Sequence, residues 1–441
     1  MHKHGFVGVD VEFIFREPVE VNMESVLKLR QSRRSLLAAA GAASAVALAG
    51  FPRIGRAQSS GKITYGYWDS AQTAAVEAQI KAFNAAVPDV EVEPQIVPWA
   101  DYWTKLQTAV AGGEAFDVFW INSASLPVYA SKNALVSIDD IVGANGIDTS
   151  VFPAPLVEMY SYNGVQYGLP RDFDTIALYY NKDLFDAAGV AYPTEAWSWE
   201  EFRANAEKLN NKDKGIWGAG QQTSWQENYY NFILQNDGHL LNEERTKCLV
   251  DEPAGCEAFE YLTGFFTDEL TPSIAVQQSN PVADTLFPAG QVAMMTGGSF
   301  RAGTYGKADA KIDVAPLPKG KKQAGVIHGL ANVIWAGSKN PDAAKELVKW
   351  MAGKDAAQVL GESGATIPSM NGMQEQWLAA NPNMNLQVFL DAVSYSQQVP
   401  DPAVGFEWQI EIQKVVIDGW SGNIPANEIC TKAAAAANAV L

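Results

Sequence analysis

Apolar and polar positions change period several times along this chain. Lys62 to Trp68 reads as a strand, and Val76, Ile80, Phe83 and Val87 then recur at helical spacing. Val90 to Val97 is a second strand. Asp101 opens another helix through Leu106 and Val110, stopped by Gly112-Gly113, and Asp117 to Ile121 is a third strand. Strand and helix in alternation predict an α/β lobe of βαβ units on a largely parallel sheet.

A different pattern follows at Tyr167 to Phe185, YGLPRDFDTIALYYNKDLF. An apolar stretch ends at Pro170, a short acidic break carries Asp172 and Asp174, and Thr175 to Tyr180 then reads as a buried strand before helix-start residues Asn181 to Asp183. This segment predicts a chain crossing between two lobes, with carboxylates where the lobes face each other. Beyond it come a helix over Trp199 to Leu209 capped by Ser198, an aromatic segment Trp225 to Leu234, a short strand Val292 to Met295, and a strand from Ile312 closing at Pro318 into a basic turn. The apolar run Gly325 to Trp335 precedes an amphipathic helix ending at Met351. Chain order places a return to the first lobe near His328 and a third crossing near Thr366 to Ser369, giving two discontinuous lobes. Helices broken at Gly419 to Pro425 form the tail.

At 441 residues the chain is too long for one ordinary core, in agreement with two lobes. Its N-terminus carries Arg33-Arg34, an Ala-rich apolar segment and Gly55-Arg56-Ala57, the pattern of a twin-arginine export signal cleaved after Ala57. Asp10, Glu12, Glu17 and Glu20 fit such a signal badly, and Met23 gives a more conventional start. Residues 1–22 are therefore expected to lie upstream of the true start, with 23–57 as the signal peptide of a periplasmic protein. Removing 1–57 leaves 24 Lys and Arg against 45 Asp and Glu, a net charge of −21, which disfavours nucleic acid and anionic membranes as partners. Of three cysteines, Cys248 and Cys256 are close enough for a local disulfide across Pro253 and Gly255, the alternative being two buried thiols. Cys430 has no evident partner in sequence.

Catalytic and metal-binding patterns do not assemble. After processing only His239 and His328 remain, so no histidine pair stands at ligand spacing. The Gly297 to Gly303 stretch imitates a nucleophile elbow around Ser299, but Arg301 occupies the required glycine position. Lys307, Lys321 and Lys354 follow glycines without the remainder of a phosphate loop. Asp172 and Asp174, two residues apart on an extended strand, would point the same way about 7 Å apart, with no partner to separate their pKa values as a glycosidase pair needs. No cofactor, metal or enzymatic activity is expected.

Binding needs less. All 13 tryptophans lie beyond residue 60, and Trp68, Trp99, Trp225 and Trp408 stand at strand ends or in loops, where a flat apolar face suits a pyranose. Asp69, Asp101, Asn122 and Ser123 follow the first three strands, the positions that line the ligand crevice of open α/β sheets. Helix capping competes for the same side chains. Gly298, Ser299 and Phe300 combine close backbone approach with an aromatic face.

These blocks resemble, in order, the family 1 extracellular solute-binding proteins of ABC importers, the maltose-binding-protein-like class. GEAFDVFWINSASLPVYASKNALVSID resembles the family's third-strand block, YNGVQYGLPRDFDTIALYYNKDLF its first hinge, AMMTGGSF its Gly-Ser-Trp ligand loop, and GLANVIWAGSKNPDAAKELVKWM the return into the first lobe. The resemblance implies a type II periplasmic-binding-protein fold, with 59–171 plus 329–368 as the N-terminal lobe and 172–328 plus 369–441 as the C-terminal lobe. It implies a monomer that closes on a mono- to oligosaccharide or polyol and delivers it to ABC permease transmembrane subunits. Trp68, Asp69, Asp101, Asn122, Ser123, Asp172, Asp174, Trp225, Gly298 to Phe300, His328 and Trp408 take sugar-contacting roles, while Phe300 replaces the usual tryptophan. Tyr179-Tyr180, which could be an iron-binding pair, is read as structural strand. A polyamine or glycerol-phosphate binder of the same fold, or a secreted carbohydrate-active enzyme, are the alternatives.

Overall fold

The computed structural model describes residues 61–441 except 144, 145, 196 and 403. The proposed upstream segment, the twin-arginine signal and its cleavage site lie outside the described residues. Among the described residues no helix is long and apolar enough to cross a membrane.

The N-terminal pattern folds as its periods dictate. Strand β1 (Gly61–Tyr67) pairs in parallel with β2 (Val90–Ile96) and with β3 (Val118–Asn122). Helix α1 (Thr73–Ala86) buries Val76, Ile80 and Phe83 along one face. Helix α2 begins at Trp99, two residues before the expected Asp101, and ends where Gly113 adopts φ +76° and returns its N–H to the last carbonyls. Two longer strands extend this sheet: the return strand Gly325–Ile334, antiparallel to β3, and beyond it the crossover strand Gly168–Asn181, antiparallel to the return strand. The expected largely parallel sheet is thus parallel over β1 to β3 and antiparallel toward the crossings.

The crossover strand belongs to two sheets. Gly168 to Thr175 pairs with the return strand, whereas Ile176 to Asn181 pairs antiparallel with Met294–Gly298 and Ile312–Ala315 of the second lobe. Ile367–Pro368 lies antiparallel on Asp172 and Phe173, and Ser396–Gln398 runs parallel to Gly325–Ile327. Four extended segments therefore lie side by side where the two sheets meet. A loop after Gln398 crosses back toward the first lobe: Asp401 is buried beside Ser123, and Gly405, with φ +71°, lies against the Val128 side chain, where a Cβ would come within 2.7 Å.

The disulfide differs from the sequence-based expectation. Cys256 pairs with Cys430, 174 residues away, with Cα atoms 5.1 Å apart. Pro253 and Gly255 open the helix Pro253–Thr267 instead of forming a turn, so Cys256 faces the C-terminal helix Ile429–Asn438 and its Cys430. Cys248 remains a buried thiol, pushed up to about 11 by desolvation.

Candidate functional site

The crossover strand sets the chemistry of the cleft by alternation. Asp172 and Asp174 both line it, while Phe173 between them packs into the core. The register against the return strand shifts between Pro170 and Asp172, and Arg171 folds underneath, its guanidinium 4.5 Å from the Trp120 ring centroid. Arg171 Nη1 donates to Asp172 Oδ2 and, at 2.9 Å, to Gln72 Oε1; the Leu330 N–H donates to Asp172 Oδ1 at 3.0 Å. Burial nevertheless pushes Asp172 up to about 6, against the pull of Arg171. Asp174 accepts from Gln226 Nε2 at 2.8 Å and is raised well above the usual carboxylate range by burial, reinforced by Asp172. His328, opposite Asp174 in the ladder, is pushed down to about 4 by burial, so its ring is neutral near pH 7; Nε2 has no partner.

The wall from the first lobe is aromatic. Trp68 stands edge-on to the fully buried Trp120 at 5.3 Å and to Tyr102 at 4.9 Å. Trp99, first residue of α2, meets Trp68 at 5.3 Å and leaves 44% of its surface exposed. One turn on, Trp103 meets Phe406 of the second lobe at 5.6 Å. Asp69 spends its oxygens locally, accepting from the Ala71 N–H and Gln72 Nε2.

The wall from the second lobe is ionic. Ser224 caps a π-helical turn, Trp225–Tyr229, which presents Trp225, Gln226 and Glu227 consecutively to the cleft. Arg301 donates Nε and Nη2 to the Glu227 carboxylate, at 2.5 and 2.8 Å, and Nη1 to Asp284 at 2.9 Å. Asp284 belongs to a second π-helical turn, Val282–Leu286, so one guanidinium ties both turns together. Glu227 also accepts from the Gly298 N–H at 3.1 Å. Gly298 leaves the space that the Phe300 ring occupies: a Cβ would lie 2.1 Å from that ring, which lines the cleft, and would force it to shift.

The cleft has two joined compartments. An inner one of about 680 Å³ contains Trp68, Asp69, Trp99, Asn122, Asp172, Asp174, Phe300 and His328 of the sequence-predicted set. An outer one of about 730 Å³ contains Trp225 and shares Trp99. Five other predicted residues lie elsewhere. Asp101 is exposed and pairs with Lys105, because α2 begins early enough to turn it to solvent. Ser123 is buried under Asn122, and Gly298 and Ser299 are buried behind Phe300. Trp408 is a correction of a kind: it is wholly buried, parallel to Tyr230 at 5.7 Å, because Trp408, Ile412 and Val416 form the inward stripe of helix Glu407–Trp420. Tyr179 and Tyr180 direct their hydroxyls to the Gly298 carbonyl and Asp313. Among the described residues no group of three or more His, Cys, Asp or Glu could hold a metal ion. Sequence reasoning missed Gln72, Gln226, Glu227, Asp284, Trp103 and Phe406 and read Arg301 only as a break in a motif; Gln226 directly follows Trp225 and Arg301 directly follows Phe300, and only that proximity could have flagged them.

Two sheets sharing a crossover strand, with a polar and aromatic cleft between their lobes, define the type II periplasmic-binding-protein architecture. Residues 67–358 match the model of the bacterial extracellular solute-binding protein family, and the chain belongs to that family. It is 28% identical over 62% of its length to a Brucella abortus binding protein, covering 67% of that protein. It is 27% identical to the maltotriose-binding protein of Pyrococcus abyssi over 61% of this chain, spanning 57% of that protein. Among solved structures, an ABC substrate-binding protein of Listeria monocytogenes in complex with cycloalternan aligns with TM-score 0.82 and 28% identity, over 86% of this chain and 98% of that one. The GacH receptor of Streptomyces glaucescens, solved unliganded and with acarbose, aligns with TM-score 0.77 and 25% identity, over 87% and 98%.

Proposed function

We propose that this protein is the ligand-capturing component of an ABC importer, exported by a twin-arginine signal to the periplasm, and that its ligand is a carbohydrate. The observation that carries the reading is the pairing, across one cleft, of exposed indole faces on the first lobe with carboxylate and amide groups on the crossover strand and second lobe. Indole faces cover the apolar C–H surface of a pyranose, and Asp174, Gln226, Asn122 and the free Nε2 of His328 meet its hydroxyls. The cycloalternan, acarbose and maltotriose named with the similar proteins support the same ligand chemistry. Closure is a population shift about the crossing strands, driven by contacts that form only when both walls meet the ligand. A membrane permease then recognises the closed form.

A polyamine is the second reading. It is favoured by the carboxylates of the inner compartment, where Arg301 and Arg171 are already neutralised by Glu227, Asp284 and Asp172. A thermal-shift panel of saccharides, polyols, glycerol phosphates and polyamines decides, since a ligand of the native state raises its melting temperature. Stabilisation by saccharides alone is expected; stabilisation by polyamines alone rejects the carbohydrate reading. Product analysis after long incubation tests for turnover, of which none is expected.

A further inference from the structure

A separate cavity of about 350 Å³ opens on the second lobe, and it shares no lining residue with either compartment of the cleft. Two helices divide it from the outer compartment. Helix Ile274–Ser279 lines the cleft with Ile274 and Gln277 and the cavity with Val276, while helix Glu407–Trp420 lines the cleft with Ile417 and the cavity with Trp420. The remaining wall comes from the turn at Lys212, from Ile216 and Trp217 beyond it, and from Phe266 near the end of helix Pro253–Thr267. The volume is at the low end of the roughly 300–1,000 Å³ of small-molecule sites.

Its polar groups are arranged by depth. Trp420, 4% exposed, packs near-parallel to Phe266 at 4.7 Å and edge-on to Tyr229 at 6.2 Å, and its Nε1–H has no acceptor among the described residues. A buried donor left unpaired is disfavoured by more than an ordinary hydrogen bond contributes, so this end of the cavity calls for an acceptor. Thr271, also buried, accepts at Oγ1 from the Gln221 N–H at 2.9 Å, which leaves its hydroxyl proton to donate. At the rim Lys212 pairs with Glu269, both side chains more than half exposed, so solvent screens the pair and it opens easily. Glu269 has φ +55°, the left-handed position after a helix at which glycine is the usual residue, so a carboxylate is kept at the rim where the backbone favours none. Between floor and rim, Ile216, Trp217, Phe266 and Val276 are half-buried and form an apolar wall.

We propose that this cavity is a second ligand site, separate from the cleft, and that it takes a free amino acid with an apolar side chain. The carboxylate accepts from the Trp420 N–H and the Thr271 hydroxyl, with Lys212 supplying the positive charge that favours it. The ammonium group pairs with Glu269, and the side chain lies along the apolar wall. A simple carboxylate would leave Glu269 opposing it, and a simple amine would leave the donors unmatched. A pyranose fits less well, because Trp420 is packed against Phe266 and offers the cavity no free face. The proposal does not depend on what the cleft binds.

The test is proton–nitrogen correlation NMR of the tryptophan indoles, with L-phenylalanine and L-leucine as probes. The chain has 13 tryptophans. Trp420→Phe, which keeps a ring against Phe266, identifies the Trp420 signal by its loss, and Trp99→Ala does the same for a signal from the cleft. Millimolar probe should move the Trp420 signal downfield to saturation, as an acceptor meets its N–H, and leave the Trp99 signal in place. Lys212→Gln and Glu269→Gln, both at exposed positions, should each weaken that binding about ten-fold. A Trp420 signal that does not move, or that phenylacetate, phenethylamine or maltose moves equally, overturns the proposal. Binding unchanged in both rim variants overturns it too, as does movement of the Trp99 signal alone, which would place the amino acid in the cleft.

Discussion

The two walls of the cleft are built on opposite principles. On the first lobe, Trp68 and Trp99 are outward extensions of a packed aromatic cluster that includes Trp120 and Tyr102. On the second, the residues that face the cleft sit on two π-helical turns and a glycine loop, held together by Arg301. Packing fixes the first wall; a salt-bridge network fixes the second. A ring at the edge of a core can be removed with local loss of contact area, whereas removal of a buried charge leaves its partners uncompensated. The difference predicts which substitutions act on binding alone and which act on structure first.

The sharpest break is Arg301→Met. Glu227, 7% exposed, loses its bidentate partner and both turns lose their tie, so unfolding free energy should fall by about 3–5 kcal/mol. Denaturant titration checks this, and a loss under about 1 kcal/mol would show that the second wall does not depend on the clamp. Trp99→Ala should instead leave the unfolding midpoint in place and, on the proposed carbohydrate reading, weaken saccharide binding about ten- to a hundred-fold, since its exposed face lines the cleft. A matching drop in stability would erase the contrast between the walls. Asp174→Ala removes an acceptor held only by Gln226 and should weaken binding about ten-fold with the fold intact; unchanged affinity in calorimetry rejects its assignment.

The smallest effect concerns the seam between the walls. Burial pushes Asp401 and Asp172 up to about 6. A carboxyl raised on folding holds its proton longer in the native state. Its contribution to stability is therefore greatest below about pH 4, declines as pH rises toward 6, and is level above that. Asp401→Asn should remove its share of the decline, on the order of 1 kcal/mol. Melting temperatures of wild type and variant from pH 4 to 7 provide the measurement, and parallel curves would place the titration elsewhere.

Local signals carried most of the first wall and of the crossover. Trp68 and Asp69 follow a strand with a clear period, and Asp172 and Asp174 announce themselves as charges interrupting apolar sequence. What stayed hidden depended on partners far along the chain. Glu227 and Arg301 are 74 residues apart, and Cys256 and Cys430 are 174 apart, so no window of sequence contains either pair. Asp101 and Trp408 failed for a nearer reason. The first was displaced by a helix that starts two residues early, and the second belongs to an i, i+4, i+8 stripe with Ile412 and Val416 that was legible as a buried face.

The crossover strand has a consequence for how this cleft can change. Its ligand-facing identity is a matter of odd and even positions: Asp172 and Asp174 fall on one parity, Phe173 on the other. Inserting or deleting a single residue between Gly168 and Arg171 would, if the upstream pairing of Gly168 with Val333 held its place, exchange the two sets, delivering a phenyl ring to the cleft and two carboxyls to the core. Point substitutions at this strand can retune the cleft gradually, but a change of frame can only abolish it. Length variation compatible with function is thus confined to the loops around the rim.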